Sequence, residues 1–169
     1  CEGTLTNTSI ITAISSPPTI TVNPVDATVC EGLGTSFSVT ATGTGITYQW
    51  QEDTGTGFVN LANGGVYSNV TTATLSISNV VGKGGYRYRA VVSGTCSPAS
   101  TSTSATLTAQ KDPVVTVPPS DATICAGNNT TFSVTATGTG LTYQWQENGI
   151  NITNGGIYSG ATTSTLTLT

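Results

Sequence analysis

The sequence predicts an all-β chain of tandem β-sandwich domains, and three observations carry that prediction. A twelve-residue stretch occurs twice, as ATGTGITYQWQE at residues 41–52 and ATGTGLTYQWQE at residues 136–147. Within the first copy Ile46, Tyr48 and Trp50 alternate with polar residues, the period of a strand that buries one face. Similar short alternating runs recur along the chain between Gly, Pro, Asn and Asp, the pattern of an all-β sandwich.

The repeat has a fixed offset. Trp145 lies 95 positions after Trp50, and the same offset carries Cys30 onto Cys125 and Phe37 onto Phe132. Residues 1–18 match residues 96–113, since both begin with Cys and continue in Thr and Ser. The expected organisation is therefore the final strand of a preceding repeat (1–18), a complete repeat (19–112) and a partial repeat lacking its last two strands (113–169). The Asn-Gly-Gly at 63–65 recurs at 154–156, four residues early, a deletion of the kind that connections absorb.

Composition narrows the class. Only 7% of the 169 residues are charged and 36% are hydrophobic, with 20 Gly and neither His nor Met. This is the usage of a β-rich secreted protein, and an extracellular or cell-surface location is expected. A net charge of −4 with four basic residues gives no basis for holding nucleic acid or an anionic membrane. No run approaches the roughly 20 apolar residues of a membrane span, and none resembles a secretory leader. The numbered chain reads as mature protein or as a segment of something longer.

Within the complete repeat, residues 20–22 open the first strand before Pro24 and Asp26. Residues 35–42 follow, with Phe37, Val39 and Ala41 facing in. Residues 46–52 form the Trp strand, placing Tyr48 and Trp50 in the core. Residues 58–61 are a weaker strand ending at Asn63-Gly64, a strong turn dipeptide. Residues 72–78 bury Leu75 and Ile77. Residues 86–92 point Tyr86, Tyr88, Ala90 and Val92 inward and Arg87 and Arg89 outward, and residues 102–109 close the unit. The offset adds Phe132, Val134, Tyr143 and Trp145 to the predicted core.

In this order, Phe37-x-Val39-x-Ala41, Trp50, Leu75-x-Ile77 and Gly84-x-Tyr86-x-Tyr88-x-Ala90 resemble an immunoglobulin-like domain read from strand B to strand F. The phrases TVCEGLGTSFSVTATGTGITYQWQ and YRYRAVVSGTCSPASTSTSATLTA are similar to tandem immunoglobulin-like repeats of large secreted and surface proteins of Bacteroidota, adhesin-like ones included. In antibody-type domains strands B and F each carry a Cys; here those positions hold Val39 and Tyr88. The inter-sheet bridge is therefore absent, and Tyr86 stands where the family's tyrosine corner would be.

Cys1, Cys30, Cys96 and Cys125 lack the spacing of a zinc or redox site. In an immunoglobulin-like topology Cys30 and Cys96 lie at opposite poles. Seven strand residues hold them roughly 23 Å apart, against a Cα limit of about 7 Å for a disulfide. Head-to-tail stacking favours staples between repeats, with an intra-repeat Cys30–Cys96 bridge and free thiols as the alternatives.

No enzyme is expected. Without His, a Ser or Cys nucleophile lacks its usual base, and Glu52 and Asp53, being adjacent, project to opposite sides or into a turn. No cofactor or metal is expected, since no loop supplies several close oxygen ligands. Phe58, Tyr67 and Tyr158 are the candidate exposed aromatics, and Arg87 and Arg89 the candidate polar contacts, on a face shared with Gln49 and Gln51. The resemblance implies a structural extracellular stalk or fibre, as part of a large surface adhesin. The alternative is a binding module whose loops recognise a glycan or a surface protein. Neighbouring repeats, or copies of the chain in a fibre, are the expected partners. The second repeat should expose Phe132 and Trp145 unless a longer chain, or another copy, supplies strands.

Overall fold

The computed structural model describes residues 14–169. The expectations placed on residues 1–13, Cys1 among them, lie outside the described residues. The chain divides into two compact units between Thr108 and Ala109.

The first unit contains β1 (Thr19–Val22), β2 (Ala27–Cys30), β3 (Thr35–Ser38), β4 (Thr40–Thr42), β5 (Thr47–Asp53), β6 (Phe58–Asn60), β7 (Tyr67–Ser68), β8 (Thr74–Ile77), β9 (Arg87–Ser93), β10 (Ser100–Thr101) and β11 (Ala105–Gln110). One sheet runs in the order β2-β11-β9-β5-β6, with β10 also on β9, and the other β3-β8-β7, while β1 pairs with β4. The inward positions of β3, β5, β8, β9 and β11 meet between the sheets. Trp50, Tyr88, Phe37, Leu75, Ile77, Leu107, Val80 and Val92 are its largest fully buried side chains. Removing this much apolar surface from water is the main force holding the sheets together.

The Trp strand is paired along its length. β5 runs antiparallel to β9 from Thr47↔Ser93 to Asp53↔Arg87, with Trp50 opposite Ala90. A small residue there leaves room for the indole, whose Nε1 donates to the Thr72 carbonyl at 2.9 Å. The turn before β5 is held on the chain entering the unit: Thr44 N donates to Ser16 O, and Thr95 N to Thr44 O. Gly43 has φ +144°, and a Cβ there would come within 3.0 Å of the Pro18 Cα. The second copy repeats this, with Gly138 at φ +146° against Pro113 and Thr139 N donating to Lys111 O. That packing explains why ATGTG stands in both copies.

Three expected strands are split, and residues 35–42 form β3 and β4, which pair in different sheets. The first strand is split: after Pro24 the chain leaves β4 and adds β2 to the edge of the other sheet, beside β11. Asn23 Oδ1 and Asp26 Oδ1 accept from Thr103 N and Thr106 N, at 3.0 and 2.7 Å, so the crossing leaves those amides satisfied. The final strand is split as well, into β10 and β11 about buried Ser102, whose Oγ accepts from Ala90 N. Tyr48 and Tyr86, expected in the core, are half-buried at its rim.

The second unit contains β12 (Val114–Val117), β13 (Thr130–Ser133), β14 (Thr135–Thr137), β15 (Gln146–Glu147), β16 (Ile150–Asn151), β17 (Tyr158–Ser159) and β18 (Thr165–Leu168). Its sheets are β13-β18-β17, β12-β14 and β15-β16. Ile152, Ala161 and Leu166 are buried, with Phe132, Trp145, Tyr158 and Leu168 packed against them and only partly covered. The core expectation for Phe132, Val134, Tyr143 and Trp145 is corrected accordingly: all four are half-buried. The physical reason is that no strand of this unit, among the described residues, lies where β9 and β11 lie in the first.

Candidate functional site

The densest polar cluster centres on Glu52, one turn of the pleat beyond Trp50. Since side chains alternate along β5, residue 52 points the same way as residue 50, into the space between the sheets. Burying a carboxylate there is costly unless it is hydrogen-bonded and paired. Glu52 is both. The Tyr88 hydroxyl, from β9, donates to Glu52 Oε2 at 2.9 Å, and the Tyr67 hydroxyl, from β7 in the opposite sheet, donates to the same oxygen. The two phenol oxygens are 3.3 Å apart, and Lys83 Nζ lies 3.8 Å from Glu52 Oε2 and 4.6 Å from the centre of the Tyr67 ring. Tyr88 also stacks on Phe37 with centroids 5.0 Å apart. The cluster thus ties β5 and β9 of one sheet to β7 of the other.

Its electrostatics follow from its burial. Desolvation, then hydrogen bonds to Tyr67 and Glu52, raise the Tyr88 phenol far above the ordinary tyrosine range. Tyr67 is raised for the same reasons, burial first and the Glu52 hydrogen bond next. Both phenols thus remain protonated donors. Among the described residues, every buried side-chain nitrogen or oxygen has a hydrogen-bond partner.

Asp53 points the other way and closes the turn after β5. It is buried, 3% exposed, and its Oδ1 accepts from Gly55 N at 2.8 Å and Gly57 N at 2.9 Å. Arg87 Nη2 donates to its other oxygen. The two amides, and then Arg87, hold the Asp53 carboxyl below its ordinary value despite burial. Two residues on, Arg89 Nε donates to Gln51 Oε1 at 2.8 Å and its guanidinium lies 3.9 Å from the centre of the Phe58 ring. Gln51 Nε2 in turn donates to Asn60 Oδ1.

These contacts revise the candidate exposed groups. Tyr67 is half-buried and committed to Glu52; Phe58 is half-buried beneath Arg89; Tyr158 is half-buried against the second unit's apolar cluster, with burial and a Glu147 hydrogen bond raising its pKa. Arg87 remains exposed, and Arg89 is half-buried. Glu52, Asp53 and Lys83 were not among the candidates. For Glu52 a signal exists, since the alternation that buries Trp50 also turns residue 52 inward. For Lys83 none does, because a loop brings it there.

Cys30, the last residue of β2, and Cys125 are exposed free thiols, and Cys96 is a half-buried one. An intra-repeat Cys30–Cys96 bridge is not formed. Among the described residues, no three of His, Cys, Asp and Glu group to hold a metal ion, and no helix is long and apolar enough to cross a membrane.

No family model matches the chain. Over 126 residues it is 29% identical to endoglucanase C of Cellulomonas fimi, an alignment covering 74% of this chain and 11% of that enzyme. Among solved structures, the I67–I69 fragment of titin's I-band aligns with 90% of this chain and 55% of its own length, at a TM-score of 0.74 and 20% identity. Sidekick-1 immunoglobulin domains 1–5 align with 93% of this chain and 34% of theirs, at 0.68 and 18%. At such identities the likeness concerns fold alone. The fold is all-β, of tandem immunoglobulin-like domains.

Proposed function

We infer that the chain is a structural segment of an extracellular stalk or fibre, built from immunoglobulin-like repeats of a large surface adhesin. The observation that supports this most is the Glu52–Tyr67–Tyr88 cluster. Its titratable groups are spent on one another across the two sheets, which makes it a brace with no open position for a substrate. In a linear array each such unit adds its own stability, and neighbours add interface terms. Neighbouring repeats are then the partners, and exposed Cys30 and Cys125 are suited to staples between repeats of a longer array. The Cellulomonas alignment, confined to a tenth of an enzyme, accords with an accessory module rather than a catalytic one.

Force spectroscopy of the chain in a polyprotein tests this reading. A unit that resists tens of piconewtons and loses much of that resistance on Tyr88→Phe fits a load-bearing brace. A unit that yields at the force of a simple coil overturns it. One observation favours the second reading, a binding module: the Arg89–Phe58–Gln51 group offers a planar cation on a ring at the sheet surface, suited to an acidic sugar. Glycan binding lost on Phe58→Ala would make that reading the better one.

A further inference from the structure

Tyr88, Ala90 and Val92 of β9 are fully buried, so the alternate residues Arg87 and Arg89 stand on the outer face of the β2-β11-β9-β5-β6 sheet. Their charges differ in fate. Arg87 is paired with Asp53, as Lys83 is with Glu52, whereas no carboxylate among the described residues pairs with Arg89. Arg89 is nevertheless held in place. Its Nε donates to Gln51 Oε1 at 2.8 Å and its guanidinium lies 3.9 Å from the centre of the Phe58 ring. Its two terminal nitrogens meet no acceptor among the described residues. A guanidinium ordered in advance loses little entropy on binding, and its planar fork matches a carboxylate through two parallel hydrogen bonds.

Gln51 Nε2 donates to Asn60 Oδ1 at 2.8 Å, so Arg89, Gln51 and Asn60 form one rung across β9, β5 and β6, with the amide nitrogen of exposed Asn60 at its far end. The Gln–Asn part of the rung belongs to the fold, since Gln146 Nε2 donates to Asn151 Oδ1 at 2.9 Å in the second unit. The ring does not: Phe58 stands two residues before Asn60, and Gly149 stands two before Asn151.

We propose that this rung binds a single carboxylate carried on a sugar ring, with Arg89 holding the carboxylate, Asn60 a hydroxyl, and Asp53 restricting the face to one negative charge. The proposal rests on the binding-module reading of the Arg89–Phe58–Gln51 group and adds what that group selects. Because Asp53 cancels Arg87, the face carries one uncompensated cation instead of two. A uronic acid satisfies it, while the further charges of a sulfated sugar find no partner. The chain's net charge of −4 repels a polyanion as well.

NMR titration of the full chain tests this, following the Arg89 Nε–H and Phe58 ring signals with methyl glucuronide, methyl glucoside, acetate and a sulfated heparin disaccharide. The glucuronide is expected to shift both signals saturably and to bind more tightly than acetate or the disaccharide, and the glucoside to shift neither. Arg89→Ala should weaken glucuronide binding about tenfold. Arg89→Lys, which keeps the charge and loses the fork, should weaken it nearly as much, and Asn60→Ala should weaken the glucuronide but not acetate. Asp53→Asn keeps an acceptor for the turn amides and frees Arg87, so the disaccharide should bind several-fold more tightly. Glucuronide shifts that do not saturate, acetate or glucoside binding as tightly, or an Asp53→Asn chain indifferent to the disaccharide overturns the proposal. A neutral glycan bound at this face and lost on Phe58→Ala would leave the binding-module reading standing while this one falls; binding of no glycan, acidic or neutral, would end both.

Discussion

At Tyr88 a phenol does work that an apolar residue of the same volume cannot. Its ring fills the core against Phe37, while its hydroxyl satisfies a carboxylate that would otherwise be buried short of a donor. Tyr88→Phe keeps the packing and removes one donor, so a loss of roughly 1–3 kcal/mol is expected in urea denaturation. Trp50→Ala, which empties a fully buried site, should cost more, about 3–5 kcal/mol. The acids and phenols act at opposite ends of the pH scale. Asp53 has a folded pKa below its ordinary 3.8, so the unfolded chain takes up its proton first as pH falls. Its contribution is complete above about pH 4 and is lost as pH drops through the folded value. Asp53→Asn should flatten that limb of a stability–pH curve. The raised phenols behave conversely: stability holds below about pH 10 and declines above it, a decline that Tyr88→Phe should reduce.

Single elements show how turns and edges are set. The Gly43 turn combines a left-handed backbone with a close approach to Pro18, so a side chain there meets both strain and a clash. Gly32 has φ +90° but open space around its would-be Cβ. Strain of this type costs about 1–3 kcal/mol. Gly43→Ala should therefore destabilise the first unit more than Gly32→Ala, and equal midpoints in urea would remove the packing explanation. β2 rests on a different device. Proline and a side-chain acceptor move the chain from one sheet to the other, and Asp26→Ala, by orphaning Thr106 N, should cost about 1 kcal/mol.

Across the molecule the two units share one plan. Both have the indole bond, from Trp50 to Thr72 O and from Trp145 to Thr163 O. Both have an Asn that caps the loop before the next strand, Asn63 on Val70 N and Asn154 on Ala161 N. Among the described residues, a long partner covers the Trp strand in the first unit, where β9 pairs with β5, and not in the second. Opening free energies vary within a protein according to such coverage. Hydrogen exchange should find the amides of β5 and β9 slowest, and those of residues 141–147 faster by several orders of magnitude. Equal protection of the two Trp strands would contradict the fold described.

Alternation about the two tryptophans, the 95-residue offset and the Gly and Asn turns were legible in the sequence because they are local: period, spacing and backbone conformation depend on near neighbours. The inward aim of Glu52 belonged to the same pattern. Which residues meet Glu52 was a different matter. Tyr67, Tyr88 and Lys83 come from three separate segments, and only sheet packing brings their polar atoms onto one oxygen. The half-buried state of Trp145 likewise depended on which strands stand beside it. Alternation names the face a side chain takes, and tertiary contact alone decides what that face meets.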